Sequence, residues 1–177
     1  FGSHASRAPA LSRITVGCIG MGGHGTKYNL HYFLQQPDCQ VVAVCDVFAE
    51  RANHAKQKVD ETYGDRDCRV EEDFREIIAD PGIDAVVIST PDHWHAPMAI
   101  RALAARKHVF CEKPTLAIAE GRELADAVHR SGKVFATGLE DRSLEKYHRL
   151  VEWERNGAIG ELKHVEVQLP PGAIHPA

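Results

Sequence analysis

Short, nearly continuous apolar runs alternate along this chain with longer helical stretches. Ile14-Thr15-Val16-Gly17-Cys18-Ile19, Val41-Val42-Ala43-Val44-Cys45, Ala85-Val86-Val87-Ile88-Ser89 and His108-Val109-Phe110-Cys111 are the clearest runs. Such runs predict parallel strands covered on both faces. Cys68-Arg69-Val70 and Val134-Phe135-Ala136-Thr137 predict two shorter ones. Helices are predicted over 25–36, 48–63, 72–79, 96–105 and 117–131. Pro37-Asp38, Gly64, Pro81-Gly82 and Gly132 stop the first, second, third and fifth of them, and Thr90-Pro91 ends the fourth strand. Alternation of this kind predicts an α/β fold with a doubly wound parallel sheet of the Rossmann type. Past Gly138 the pattern changes. A helix over 143–156 is expected, with Ser143 as its N-cap and Gly157 as its stop. An alternating strand over 162–169 follows, outside the βαβ series, and Pro170-Pro171-Gly172 reads as a loop.

Composition narrows the partners. Hydrophobic residues make up 44% of the 177 residues, enough for a packed core. The net charge is -4 with the signs interspersed, so no basic stripe points to nucleic acid. The longest apolar runs fall far short of the roughly 20 residues a membrane span needs. Phe1 to Arg13 has no apolar stretch of the kind a signal peptide carries. The five cysteines, Cys18, Cys39, Cys45, Cys68 and Cys111, form no C-x-x-C pair and read as reduced core thiols.

The first candidate site is Gly20-Met21-Gly22-Gly23-His24-Gly25, which follows a predicted strand and opens a helix. That context suits a dinucleotide loop. Gly20 permits the turn, Gly22 lets the backbone approach a pyrophosphate, and Gly25 allows close helix–strand packing. The helix N-terminus presents amides to the phosphates. Asp46 closes the second strand roughly 20 residues further on, where a carboxylate accepts ribose hydroxyls and repels a 2′-phosphate. NAD is therefore expected over NADP, with Arg51 as the reservation. The plainer alternative is that the loop is only a turn and Asp46 only a helix cap.

A second cluster, Ser89-Thr90-Pro91-Asp92-His93-Trp94-His95, ends the fourth strand, and Glu112-Lys113-Pro114 ends the fifth. Both should face the cleft of the glycine loop, because ligands of open α/β sheets bind at that edge. Lys113 beside Glu112 reads either as a proton-handling lysine or as a surface ion pair. His93 and His95 would point the same way in an extended segment, but no third ligand lies at a supporting spacing, so no metal is expected. Trp94 reads as a packing residue.

Together with Thr137-Gly138-Leu139, Arg142 and Gly157-Ala158-Ile159-Gly160, these motifs resemble the glucose–fructose oxidoreductase / inositol 2-dehydrogenase / MocA family over about Arg13 to Leu169. The resemblance implies a tail over 1–12, an NAD(P)-binding Rossmann domain over 13–141, and over 142–177 a linking helix and the first strand of a truncated C-terminal α+β substrate domain. It implies that Lys113 is the catalytic lysine, touching the nicotinamide ribose and the substrate hydroxyl, and that Glu112 binds the same ribose. Ser89, Thr90, Pro91 and His95 would lie on the nicotinamide side. Gly20, Met21, Gly22, Gly23, His24, Gly25 and Asp46 would hold the rest of the cofactor. The implied activity is hydride transfer to or from a carbinol of a sugar, inositol or related polyol. Homo-oligomers are usual in the family. A cytoplasmic location is expected, with export in folded form as the alternative. Two other readings stay open. One is a redox-neutral NAD-dependent glycoside hydrolase, although members with that activity differ at the Glu-Lys-Pro motif that is intact here. The other is a non-catalytic nucleotide-binding fragment.

Overall fold

Six strands form one sheet in the order β3-β2-β1-β4-β5-β6, every neighbouring pair parallel. They are β1 (Ile14–Ile19), β2 (Cys39–Cys45), β3 (Arg69–Glu71), β4 (Ala85–Ile88), β5 (His108–Glu112) and β6 (Phe135–Gly138). The computed structural model describes residues 12–168. The chain divides into two compact units at Gly138/Leu139.

In the first unit a π-helical segment, Gly25–Leu30, runs into α1 (His31–Leu34). Then come α2 (Ala49–Tyr63), α3 (Phe74–Ala79), α4 (Asp92–Ala104) and α5 (Ile118–Ser131). The apolar runs are buried on both faces, as continuous patterning requires. Ile19, Val86 and Ile88 pack with Ile77, Met98, Ala99 and Leu103 on one side. Val16, Cys18, Val44 and Val87 pack with Leu30, Ala55 and Val59 on the other. Each fully buried aliphatic side chain contributes about 1.5–3 kcal/mol relative to exposure.

Two boundaries differ from the sequence reading in ways that matter for the site. The helix after β4 begins at Asp92 rather than Ala96, directly behind Pro91. His93 and His95 therefore lie in a first helical turn, where residues two apart point to different sides, and not in an extended segment. The helix that the glycine loop opens is π-helical over Gly25–Leu30, a geometry no local pattern announces.

At the amino ends of the central strands β1 and β4, Asp84 Oδ2 accepts from Thr15 N at 2.9 Å and Thr15 Oγ1 at 2.8 Å. Buried Lys107 donates to the carbonyls of Asp80 and Ile83 at 2.5 and 2.7 Å.

In the second unit a 3₁₀ turn, Glu140–Ser143, precedes α6 (Glu145–Arg155). Leu144, not Ser143, is the N-cap, because Ser143 is used to close the 3₁₀ turn. Residues 162–168 form no strand. Alternating polarity alone does not make one, since a strand needs a hydrogen-bonded neighbour and no described residue supplies it. Residue 169, the expected loop beyond it and most of the expected N-terminal tail lie outside the described residues. Among the described residues no helix is long and apolar enough to cross a membrane.

Candidate functional site

The carboxyl ends of β1 and β4, where the strand order reverses, frame the glycine loop. Gly20 has φ +88°, and a Cβ there would lie 2.7 Å from the Ser89 carbonyl carbon and oxygen. Its amide donates to Cys45 O at 2.8 Å, and the Ser89 amide donates to Ile19 O at 2.8 Å, so the loop is stitched to both neighbouring strands. Gly25 is tighter still, as a Cβ there would sit 2.0 Å from Gly20 O. Thr26 closes the turn, its hydroxyl donating to Met21 O at 2.8 Å and its amide to Gly22 O at 2.9 Å. Gly22 and Gly23 face open space: a Cβ would meet only Arg51 Nη1 at 3.9 Å in the first case and nothing within 4 Å in the second.

Asp46 is 9% exposed and commits both carboxylate oxygens to backbone amides. Oδ2 accepts from Met21 N at 2.7 Å and Oδ1 from Phe48 N at 2.9 Å. One side chain thus fixes the glycine loop to the end of β2 and shapes the entry to α2. Each oxygen keeps a further lone pair for a hydroxyl donor. The Arg51 guanidinium lies 4.4 Å from the Phe48 ring centroid. Cys45 lines the same space, and burial first, then the Asp46 charge, pushes its thiol up to about 12.

These groups open onto a cleft of about 870 Å³. Gly20, Gly22, Gly23, His24, Asp46, Ser89, Thr90 and Pro91 line it, as do Phe48, Arg51, Phe74, Arg75 and Trp94. Phe74 and Trp94 pack with ring centroids 5.9 Å apart, so Trp94 both packs and lines the cleft. The Arg75 side chain, donating to both Asp73 oxygens, holds that carboxyl below its usual range. Thr90 Oγ1 is buried and has no described hydrogen-bond partner.

The remaining expected site residues lie elsewhere. The Met21 side chain is in the core at 2% exposure, so only its backbone belongs to the loop. His95 does not line the cleft. It is 2% exposed, with Nε2 at 2.7 Å from Thr90 O and Nδ1 at 2.8 Å from Pro114 O, a strut between the loops after β4 and β5. Glu112 is 8% exposed and lies beneath the glycine loop. Its Oε1 is 3.1 Å from His24 Nε2 and accepts from Asn29 Nδ2 at 2.9 Å. Asn29 also donates to Ser89 Oγ at 2.8 Å. Lys113 is exposed at the end of β5, joined to Pro114 by a cis peptide. Sequence reasoning missed Asn29, Phe48, Phe74 and Arg75. For Asn29 the only available signal was an amide beside Leu30 on a helix that buries its inner face.

The model of an oxidoreductase family with an NAD-binding Rossmann fold, GFO_IDH_MocA, matches residues 14–139. The chain belongs to the Gfo/Idh/MocA oxidoreductase family. Its relatives in that family include the myo-inositol 2-dehydrogenase of Thermotoga maritima, 31% identical over 151 residues, which are 82% of this chain and 42% of that protein. Glycosyl hydrolase family 109 protein 1 of Shewanella sp. (strain ANA-3) is 30% identical over 168 residues, 90% of this chain and 35% of that one. Among solved structures, scyllo-inositol dehydrogenase from Lactobacillus casei with bound cofactor NAD(H) and scyllo-inositol superposes with a TM-score of 0.72 at 26% identity. The match covers 84% of this chain and 43% of that one. The chain thus spans less than half the length of each of these relatives.

Proposed function

We propose that this chain binds NAD in the cleft and that the whole protein is a dehydrogenase acting on a carbinol of an inositol, sugar or related polyol. The carrying observation is the pairing of Gly22 and Gly23, open to the cleft, with Asp46 at the end of β2. The space a Cβ would occupy at these glycines suits a pyrophosphate approaching backbone amides. Asp46 favours a ribose diol over a 2′-phosphate, because a buried carboxylate beside a phosphate is repulsive. Thr90 Oγ1 supplies an unused polar atom on the other side of the cleft.

When bound, the nicotinamide takes or gives the hydride. The chain supplies binding, orientation and proton handling. Lys113, on the strand end beyond the cleft, is the residue we assign to hold the substrate proton at Nζ. His95 sets the spacing of the Thr90 and Pro114 carbonyls on either side of it. Residues 13–141 would form the cofactor domain, and 142–177 would begin the substrate domain. The inositol dehydrogenases among the relatives support the polyol reading.

Calorimetric titration of the chain should show NAD binding at least about tenfold tighter than NADP; equal affinities would overturn the assignment to Asp46. In the whole protein, NADH formation with a panel of inositols and sugars tests the activity. Lys113→Ala should abolish turnover, and turnover at the parent rate would remove Lys113 from its role. The similarity to a family 109 glycosyl hydrolase carries a second reading, in which the hydride is lent and returned. Cleavage of a glycoside with catalytic NAD and no net NADH would decide for it.

A further inference from the structure

We infer that Glu112 is a buried positioning residue for the glycine loop, acting through Asn29 and His24. The inference rests on the NAD reading of the cleft and assigns the acidic member of Glu112-Lys113-Pro114 a different task from the one its neighbourhood suggests.

One carboxylate oxygen of Glu112 is fully engaged by the glycine loop and its helix. Oε1 faces two nitrogen donors, Asn29 Nδ2 at 2.9 Å and His24 Nε2 at 3.1 Å, which uses both of its lone-pair directions. Oε2 packs over Gly138, where a Cβ would stand 2.8 Å from it and 2.6 Å from Oε1. The residue is 8% exposed and does not line the cleft. What it does touch belongs to the phosphate side. His24 lies within the glycine loop, stacked on Tyr28 at 5.0 Å, and lines the cleft. Asn29 sits in the helical segment that the loop opens, and its amide splits its two protons between Glu112 Oε1 and Ser89 Oγ.

Glu112 therefore fastens the first helical turns to the ends of β4 and β5. The amides of Gly22 and Gly23 are aimed by that attachment. Gly138 makes room for the carboxylate, so four segments of the first unit meet at one buried side chain.

A ligand comparison separates the two roles. ADP carries the adenosine and pyrophosphate groups of NAD and lacks the second ribose. A ribose ligand matters to NAD alone, whereas a residue that aims the loop matters to both. NAD and ADP are titrated by calorimetry against the parent chain, Glu112→Gln, Asn29→Ala and the double variant, well below their melting temperatures. We expect each single variant to weaken NAD and ADP by the same factor, about tenfold for a lost charge-assisted hydrogen bond. The double variant should be no weaker than the worse single one, because both act through one contact. Should Glu112→Gln fail to fold, Asn29→Ala carries the same comparison. Weakened NAD with unchanged ADP would overturn the inference and make Glu112 a ribose ligand instead. Unchanged affinity for both would overturn it as well. A parent chain that binds neither ligand would sink the cofactor reading itself, which is a distinguishable failure.

Discussion

Replacing Gly25 with alanine should damage both folding and cofactor binding, and the structure sets the scale. The added Cβ would lie 2.0 Å from Gly20 O, 3.1 Å from Ser89 Cβ and 3.2 Å from Gly20 C. Relief requires the helix start and the loop to part by more than about 1 Å, given carbon contacts of roughly 3.5 Å. The obstacle is backbone, so no rotamer change removes it. Overpacking of this kind costs about 1–3 kcal/mol, and an immovable neighbour places Gly25→Ala near 3 kcal/mol. At roughly 2–4 °C per kcal/mol for a domain of this size, the melting temperature should fall about 6–12 °C. Gly23→Ala is the matched control. Nothing lies within 4 Å of its Cβ position, and its φ is not left-handed. There the loss of unfolded-state freedom should stabilise the chain by about 0.4–1 kcal/mol. The same methyl projects into the cleft, so NAD affinity should drop in Gly23→Ala although the fold does not weaken. Scanning calorimetry and NAD titration read both effects. A Gly25→Ala chain that melts within 2 °C of the parent and binds NAD equally, on the order of its measurement error, would refute the reasoning.

Asp46→Asn leaves one acceptor oxygen for two amides, one buried and one part-buried, so Met21 N or Phe48 N loses its partner. It should cost about 1–3 kcal/mol and narrow the preference for NAD over NADP; an unchanged melting temperature would contradict the double hydrogen bond. Asp84 is held below the usual 3.8 chiefly by the Thr15 amide and then its hydroxyl. Its stabilisation is present above 3.8 and is lost as pH falls through the lowered value. The melting-temperature gap between parent and Asp84→Asn should therefore close below that pH, and a constant gap from about pH 6 to about pH 2.5, a range that brackets the carboxylate value, would refute it. Burial is the largest cause that pushes Cys45, Cys68 and Cys111 up to about 12 from the ordinary 9.0. Their contribution to stability is intact below 9.0 and declines as pH rises toward 12, and a thiol reagent at neutral pH should label the native chain far more slowly than the unfolded one. Equal rates would show the thiols to be open.

The strands were legible because burial on both faces writes itself as continuous apolar sequence, and β1, β2, β4 and β5 are such runs. The glycine loop was legible because a backbone requirement at Gly20 and Gly25 leaves a residue type behind. The start of α4 was not, since Asp92-His93-Trp94-His95 offers no apolar period although His95 is buried. Nor was the seat of Glu112. It depends on Asn29, 83 positions away in sequence, and such a contact has no local signature. The alternation over 162–168 was real, but strand formation is a property of two segments and cannot be read from one.

The strand order also governs how the cleft comes into being during synthesis. β1 is made first, yet one of its two neighbours is β4, which is complete only at Ile88. At about 5–20 residues per second, a nascent chain carries β1 with one edge unsatisfied for several seconds. During that interval β1, β2 and the glycine loop can assemble, but the wall supplied by Ser89 and Thr90 does not yet exist. An exposed strand edge invites pairing with other chains. The same topology that puts the cleft between β1 and β4 therefore makes emergence of β4 the moment at which the open edge of β1 is closed to misassociation and passed on to β4, which waits in turn for β5.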